Sequence, residues 1–285
     1  MGCENRGLGK RDIYTAWGAE FLRSKMVRRI RGWLSTVILI WILAACGEPQ
    51  TEKEQSAAVQ PGFVQFGQED GRTVWDTDPQ APGGSAAGEN PGDDAGQEDL
   101  WQYLRQATVQ ISGPQYMGSG VVWSADEERL VIATAAHVAW DNSPMTALFD
   151  RGEPVEARTL HISDRVDVAF LEVSLREAEE RGAVWQEARQ DKESCERLEA
   201  GQALWIPGAV EDAGHDIPGG SVVDPWIYME DFENYMLLGY ACVVPGASGS
   251  GVFTREGILA GILCGGNEAD QIAVLPWSVM EANRE

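Results

Sequence analysis

The stretch VPGASGSGVF, Val244–Phe253, holds two serines two positions apart, set among glycines just ahead of an apolar pair. Its small residues suit a linker equally well. The reading turns on whether one serine is poised to attack a carbonyl, and on which one. Neither lies in G-x-S-x-G, because the position two after Ser248 is Ser250; this argues against the strand-turn-helix elbow of α/β-hydrolases. No H-E-x-x-H and no paired C-x-x-C occurs, so neither a metal nor another cofactor is called for.

A nucleophilic serine needs a base, and the chain has only three histidines. His161 and His215 lie in polar or loop-like surroundings. His137, in VIATAAHVAW, directly follows an apolar strand and is preceded by the small residues Thr134, Ala135 and Ala136. Such neighbours let an imidazole sit at a strand end with its ring facing a cleft. Thirty positions on, DRVDVAFLEV puts Asp167 at the head of a strand whose inward set is Ala169, Leu171 and Val173. A buried carboxylate needs a hydrogen-bonding partner, and an imidazole N–H is one. Asp164, three residues earlier and in the turn, is the rival.

Short apolar runs separated by Gly, Pro and acidic turns extend on both sides: ATVQIS, GSGVVWS, RLVIATAAHV, DVAFLEV, QALWIPG, YMLLGYACVV, SGVFT, GILAGILC and QIAVLPW. That spacing implies an all-β domain, mainly antiparallel, as a sandwich or barrel. LREAEERGAVWQEARQDKESCERL, residues 175–198, is rich in Ala, Glu, Arg and Gln and reads as one or two short helices broken near Gly182. It divides the strands into groups at about 104–173 and 200–277. Pro276-Trp277 opens a short closing helix. No internal repeat is visible.

Three motifs now lie in order. Thr134-Ala135-Ala136-His137 resembles the histidine motif of trypsin-like (chymotrypsin-fold) serine proteases. Asp167-Val168-Ala169-Phe170-Leu171 resembles their aspartate strand, and Gly246-Ala247-Ser248-Gly249-Ser250 their nucleophile loop. The resemblance covers residues 99–285. It implies two six-stranded antiparallel β-barrels with a short helical inter-barrel segment, and a His137–Asp167–Ser248 triad. It also implies an oxyanion hole from the backbone N–H groups of Gly246 and Ser248, acting on a protein or peptide substrate. By the same motif spacing, Cys242 and Val243 line the base of the primary substrate pocket, with Cys264, Gly265 and Gly266 on its wall. None is charged, so a small or apolar side chain is the expected preference. Gly118-Ser119-Gly120 and the compact His-to-Asp spacing look like bacterial HtrA-type proteases and glutamyl endopeptidases.

One departure stands beside the nucleophile. Ala247 replaces the aspartate that pairs with a freed N-terminus in digestive relatives, so that activation switch is not expected. The alternative to an enzyme is a catalytically silent trypsin-like fold that binds proteins. Of the cysteines at 195, 242 and 264, an odd number leaves at least one unpaired in a monomer; Cys242 and Cys264 either bridge each other or stay as buried thiols.

The N-terminus carries a different signal. The chain of 285 residues has a net charge of −23, which argues against a nucleic-acid partner. Yet residues 1–46 carry eight Lys/Arg against three Asp/Glu. Arg28, Arg29 and Arg31 precede an apolar run from Trp33 to Ala45, too short for the roughly 20 residues of a comfortable bilayer span. It fits the core of an export signal. The run ends Leu43-Ala44-Ala45-Cys46, which resembles the bacterial lipobox and implies a lipid on Cys46, anchoring the chain to a membrane of the cell envelope. A start at Met26 gives an ordinary signal, leaving 1–25 as an N-terminal extension and 26–46 as the signal peptide. Met1-Gly2-Cys3 is not read as a myristoylation site, since Arg6 stands where Ser or Thr belongs. Residues 47–98, rich in Pro, Gly, Gln and acids, read as a disordered tether.

Overall fold

The computed structural model describes residues 94–208, 217–267 and 269–285. The readings made on residues 1–93, Cys46 among them, and on His215 lie outside the described residues. A helix, α1 (Asp94–Gln106), leads into six strands: β1 (Thr108–Ser112), β2 (Met117–Ala125), β3 (Arg129–Thr134), β4 (Met145–Leu148), β5 (Val155–Ile162) and β6 (Ala169–Ser174). Six more follow: β7 (Ala203–Trp205), β8 (Gly219–Met229), β9 (Asn234–Ala241), β10 (Gly251–Thr254), β11 (Leu259–Gly266) and β12 (Gln271–Pro276). Short helices punctuate them: α2 (Ala136–Ala139), α3 (Leu175–Glu180), α4 (Lys192–Glu196) and α5 (Trp277–Glu281).

Each set of six closes into an antiparallel barrel. The first runs β1-β2-β3-β6-β5-β4, the second β7-β8-β9-β12-β11-β10, so both use one strand order. This is the expected pair of six-stranded barrels. Closure removes the free sheet edges that invite aggregation.

Side-chain alternation divides the apolar residues into three cores. Val122, Leu130, Ile132, Leu171 and Val173 fill the first barrel. Leu204, Val222, Leu237, Val252, Leu263 and Val274 fill the second. The opposite faces of the same strands supply the third core: Val121, Ala133 and Phe170 from the first barrel, Phe253, Ile262 and Leu275 from the second, sealed by Tyr103 and Leu104 of α1 and Met280 of α5. Strands at this seam are buried on both faces, which is why they appear as unbroken apolar runs.

Helix α1 begins inside the segment read as tether. Its apolar residues Leu100, Trp101, Tyr103 and Leu104 fall on one face, and that face packs on the seam. The Tyr103 hydroxyl donates to the Gly257 carbonyl at 3.1 Å and accepts from the Arg189 N–H at 2.6 Å.

The inter-barrel connector is laced down along its length. Gln186 N–H donates to Gln106 O at 3.0 Å, Ala188 N–H to Val122 O at 2.8 Å, and Leu259 N–H to Arg189 O at 2.8 Å. Gln190 Nε2 donates to Trp123 O at 2.6 Å, while its Oε1 accepts from Trp277 Nε1 at 2.9 Å. Trp123 and Trp277 stack with centroids 6.4 Å apart. The two helices expected here are α3 and α4, capped by Ser174 and Asp191, with Gly182 at φ +74° between them.

Candidate functional site

Three loops from the two barrels meet at the seam. Thr134 ends β3, and α2 follows at once, a single turn that carries His137. Asp167 sits two residues before β6, in the turn that leaves β5. Ser248 lies in the turn between β9 and β10, in the second barrel.

Asp167 is 6% exposed, and its carboxylate is aimed at His137. Oδ1 accepts the His137 backbone N–H at 3.0 Å, and Oδ2 lies 2.8 Å from His137 Nδ1. An ionised carboxylate only accepts, so this contact puts a proton on Nδ1 and leaves Nε2 with its lone pair when the ring is neutral. Asp164 is exposed. His161 is not in a loop: it lies on β5 beside a bulge, opposite Phe170, because the strand's polar outer face hides it from a reading based on apolar runs.

The two serines differ in what their hydroxyls do. Ser250, fully buried, donates to the Gly251 carbonyl at 3.2 Å. Ser248 is 3% exposed, and neither its Oγ nor His137 Nε2 has a hydrogen-bond partner among the described residues. His137 and Ser248 therefore each present a buried, uncommitted polar atom, and those two atoms are not hydrogen-bonded to each other in this structure.

The backbone of the turn is pinned at alternate peptides. Ala247 N–H donates to Val244 O at 3.1 Å, Gly249 N–H to Leu263 O at 2.7 Å, and Ser250 N–H to Ala247 O at 2.9 Å. Ser119 of β2 approaches from the other barrel. Its N–H donates to Ser248 O at 2.7 Å and its Oγ to Gly246 O at 2.8 Å, while its own carbonyl accepts from Thr134 Oγ1 at 2.6 Å. The N–H groups of Gly246 and Ser248 donate to no group among the described residues. Gly246 and Gly249 have φ of +95° and +84°, where only glycine sits without strain. The sequence does not single out Ser119 as part of the site; the G-S-G within β2 is its only trace.

The residues assigned to the substrate pocket are dispersed in burial. Cys242 and Val243, just past β9, are half-buried, and Gly265 and Gly266 are buried in β11. Cys264 is fully buried, its Sγ 3.7 Å from the Asp167 carbonyl oxygen. Cys264 is in no disulfide, so the alternative of a Cys242–Cys264 bridge is not realised: Cys264 turns toward Asp167 in the seam instead.

No curated protein matches the sequence. Among solved structures, the Rv3671c protease of M. tuberculosis H37Rv, in the inactive form of a serine-to-alanine mutant, is 18% identical. That match covers 65% of this chain and 87% of the other, with a TM-score of 0.53. A second structure of the Rv3671c protease, also an inactive form, is 19% identical over 67% of this chain and 94% of the other, with a TM-score of 0.54. At that identity the likeness speaks for the fold. The sequence itself matches the trypsin-like peptidase domain over residues 118–262, just over half its length and spanning the His137, Asp167 and Ser248 positions; the chain belongs to the trypsin-like peptidase domain family.

Proposed function

We propose that this chain is a serine endopeptidase working through His137, Asp167 and Ser248. The observation that carries the reading is the His137 Nδ1–Asp167 Oδ2 contact at 2.8 Å, together with a buried Ser248 hydroxyl that has no hydrogen-bond partner among the described residues. Ser248 Oγ attacks the scissile carbonyl carbon as His137 Nε2 takes the hydroxyl proton. Asp167 holds the ring in the required tautomer and stabilises the imidazolium. The N–H groups of Gly246 and Ser248, uncommitted among the described residues, bind the oxyanion. His137 then returns the proton to the leaving amine, and water repeats the sequence on the acyl-serine, restoring Ser248 and releasing the acid. Cys242, Val243, Gly265 and Gly266 border the substrate side chain. The type nearest in motif is the bacterial HtrA-like or glutamyl-endopeptidase-like one.

A second reading is a silent trypsin-like fold that binds proteins; the missing Ser248–His137 hydrogen bond favours it. Catalytic hydrogen bonds are often long before substrate arrives, so reactivity decides. Wild-type full-length chain treated with a fluorophosphonate should label on serine, and Ser248→Ala should not. Labelling that survives Ser248→Ala, or a wild type that never labels, overturns the enzyme reading.

The proposal extends to location. Residues 26–46 direct export, a lipid on Cys46 anchors the chain to a membrane of the cell envelope, and residues from 47 onward tether the peptidase. Radiolabelled fatty acid should enter the wild type and not Cys46→Ser; incorporation in both rejects the anchor.

A further inference from the structure

We infer that Ser119 is a positioning residue that holds the oxyanion-binding amides in place, doing from the first barrel what a buried ion pair at position 247 cannot do here. The inference rests on the reading of Ser248 as nucleophile.

Residue 247 is a buried alanine, so this position supplies no carboxylate to hold the turn. What does hold it is a set of hydrogen bonds at alternate peptides. The peptide between Gly246 and Ala247 is fixed at both ends, its carbonyl by Ser119 Oγ at 2.8 Å and its N–H by Val244 O at 3.1 Å. The peptide between Ser248 and Gly249 is likewise fixed, its carbonyl by Ser119 N–H at 2.7 Å and its N–H by Leu263 O at 2.7 Å. The Ser248 N–H belongs to the peptide between these two, so its direction follows from them. The Gly246 N–H belongs to the peptide just before, with only Gly246 itself as a pivot. That pivot is loose: φ is +95°, and nothing lies within 4 Å of where a side chain would stand. Ser119 Oγ, together with Val244 O on the same peptide, therefore holds the anchor from which the Gly246 amide swings. Ser119 is in turn braced by Thr134 Oγ1 at 2.6 Å, three residues before His137. One fully buried residue thus fixes the turn carrying Ser248 relative to the strand end carrying His137.

Ser119→Ala removes only the hydroxyl and keeps the backbone bond to Ser248 O. The expected result, in the full-length chain, is a fluorophosphonate labelling rate about ten-fold lower at its high-pH plateau, the change a single ordinary hydrogen bond makes. The pH midpoint of labelling should not move, because the His137–Asp167 contact is untouched. A peptidyl aldehyde, whose adduct with Ser248 carries an oxyanion, should bind about ten-fold more weakly in competition with the label. The matching peptidyl alcohol should compete equally well against both proteins. If Ser119→Ala fails to fold, Ser119→Cys, near in size with a weaker donor, should label at an intermediate rate. Wild-type rates in the folded variant, a shifted midpoint, or equal weakening of aldehyde and alcohol each overturn the inference. A wild type that does not label at all instead overturns the peptidase reading beneath it.

Discussion

Gly246 and Gly249 stand three residues apart in one turn with similar positive φ, yet they are glycine for different reasons. At Gly246 the only obstacle to a side chain is the positive φ. At Gly249 an added Cβ would drive into the Ser119 carbonyl and the Thr134 hydroxyl as well. Gly246→Ala is expected to cost about 1–2 kcal/mol, the penalty of a left-handed alanine, and Gly249→Ala roughly twice that or more, since overpacking adds to it. Urea midpoints of the two variants measure the difference; equal midpoints would mean that the turn shifts away from β2 without resistance. The same contrast marks what could be read at this scale. His137, Asp167 and Ser248 stand out because each sits in a short motif, and local residue types announce it. Ser119 does not, because its hydroxyl meets a carbonyl 127 residues away. Nothing in G-S-G specifies that meeting.

Among the elements, legibility follows burial. β4, β5 and β8 are absent from the apolar runs visible in the sequence. β5 buries Val155 and Ala157 but exposes Glu156 and three consecutive residues from Arg158 to Leu160, and a bulge follows Thr159. β8 carries Asp224-Pro225 in mid-strand, tolerated because the pairing with β9 skips across that point. α1 escapes notice for another reason. Its first turn has the composition of a tether, and only its last two turns carry large apolar residues. Yet α1 contributes a buried anchor. Tyr103 is 3% exposed and joins the helix to Arg189 and Gly257. Tyr103→Phe leaves an N–H and a carbonyl without their partner, at an expected cost of about 1–3 kcal/mol near neutral pH. Burial, outweighing the pull of nearby Arg189, raises the Tyr103 pKa. The folded chain therefore keeps this proton after the unfolded chain has released it. Stability from this group is intact below the ordinary tyrosine value near 10 and falls as pH rises past it. Denaturant titrations across that range should show a shallower alkaline decline in Tyr103→Phe; an identical slope would remove Tyr103 as its source.

On the scale of the whole molecule, the shared strand order of the two barrels was invisible in the sequence, because different residues satisfy the same alternation. The seam makes the two barrels one folding unit. Each alone would expose Val121 and Phe170, or Phe253, Ile262 and Leu275, to water. Unfolding is therefore expected as a single transition, with far-UV circular dichroism and tryptophan fluorescence coinciding; two separated midpoints would show that the barrels stand independently. Phe253→Ala, at the seam, should lower the common midpoint by the equivalent of about 3–5 kcal/mol. The connector that crosses this seam has a further consequence. Any enzyme that cuts peptide bonds is surrounded by copies of itself, and the strand joining its halves is the natural place for self-digestion. To be cut, a segment must peel away and lie extended in a neighbour's cleft. Here Gln186 is tied to the end of α1, Ala188 and Gln190 to the first barrel and Arg189 to the second, each by hydrogen bonds, so several must break before the bond that would sever the molecule can be offered.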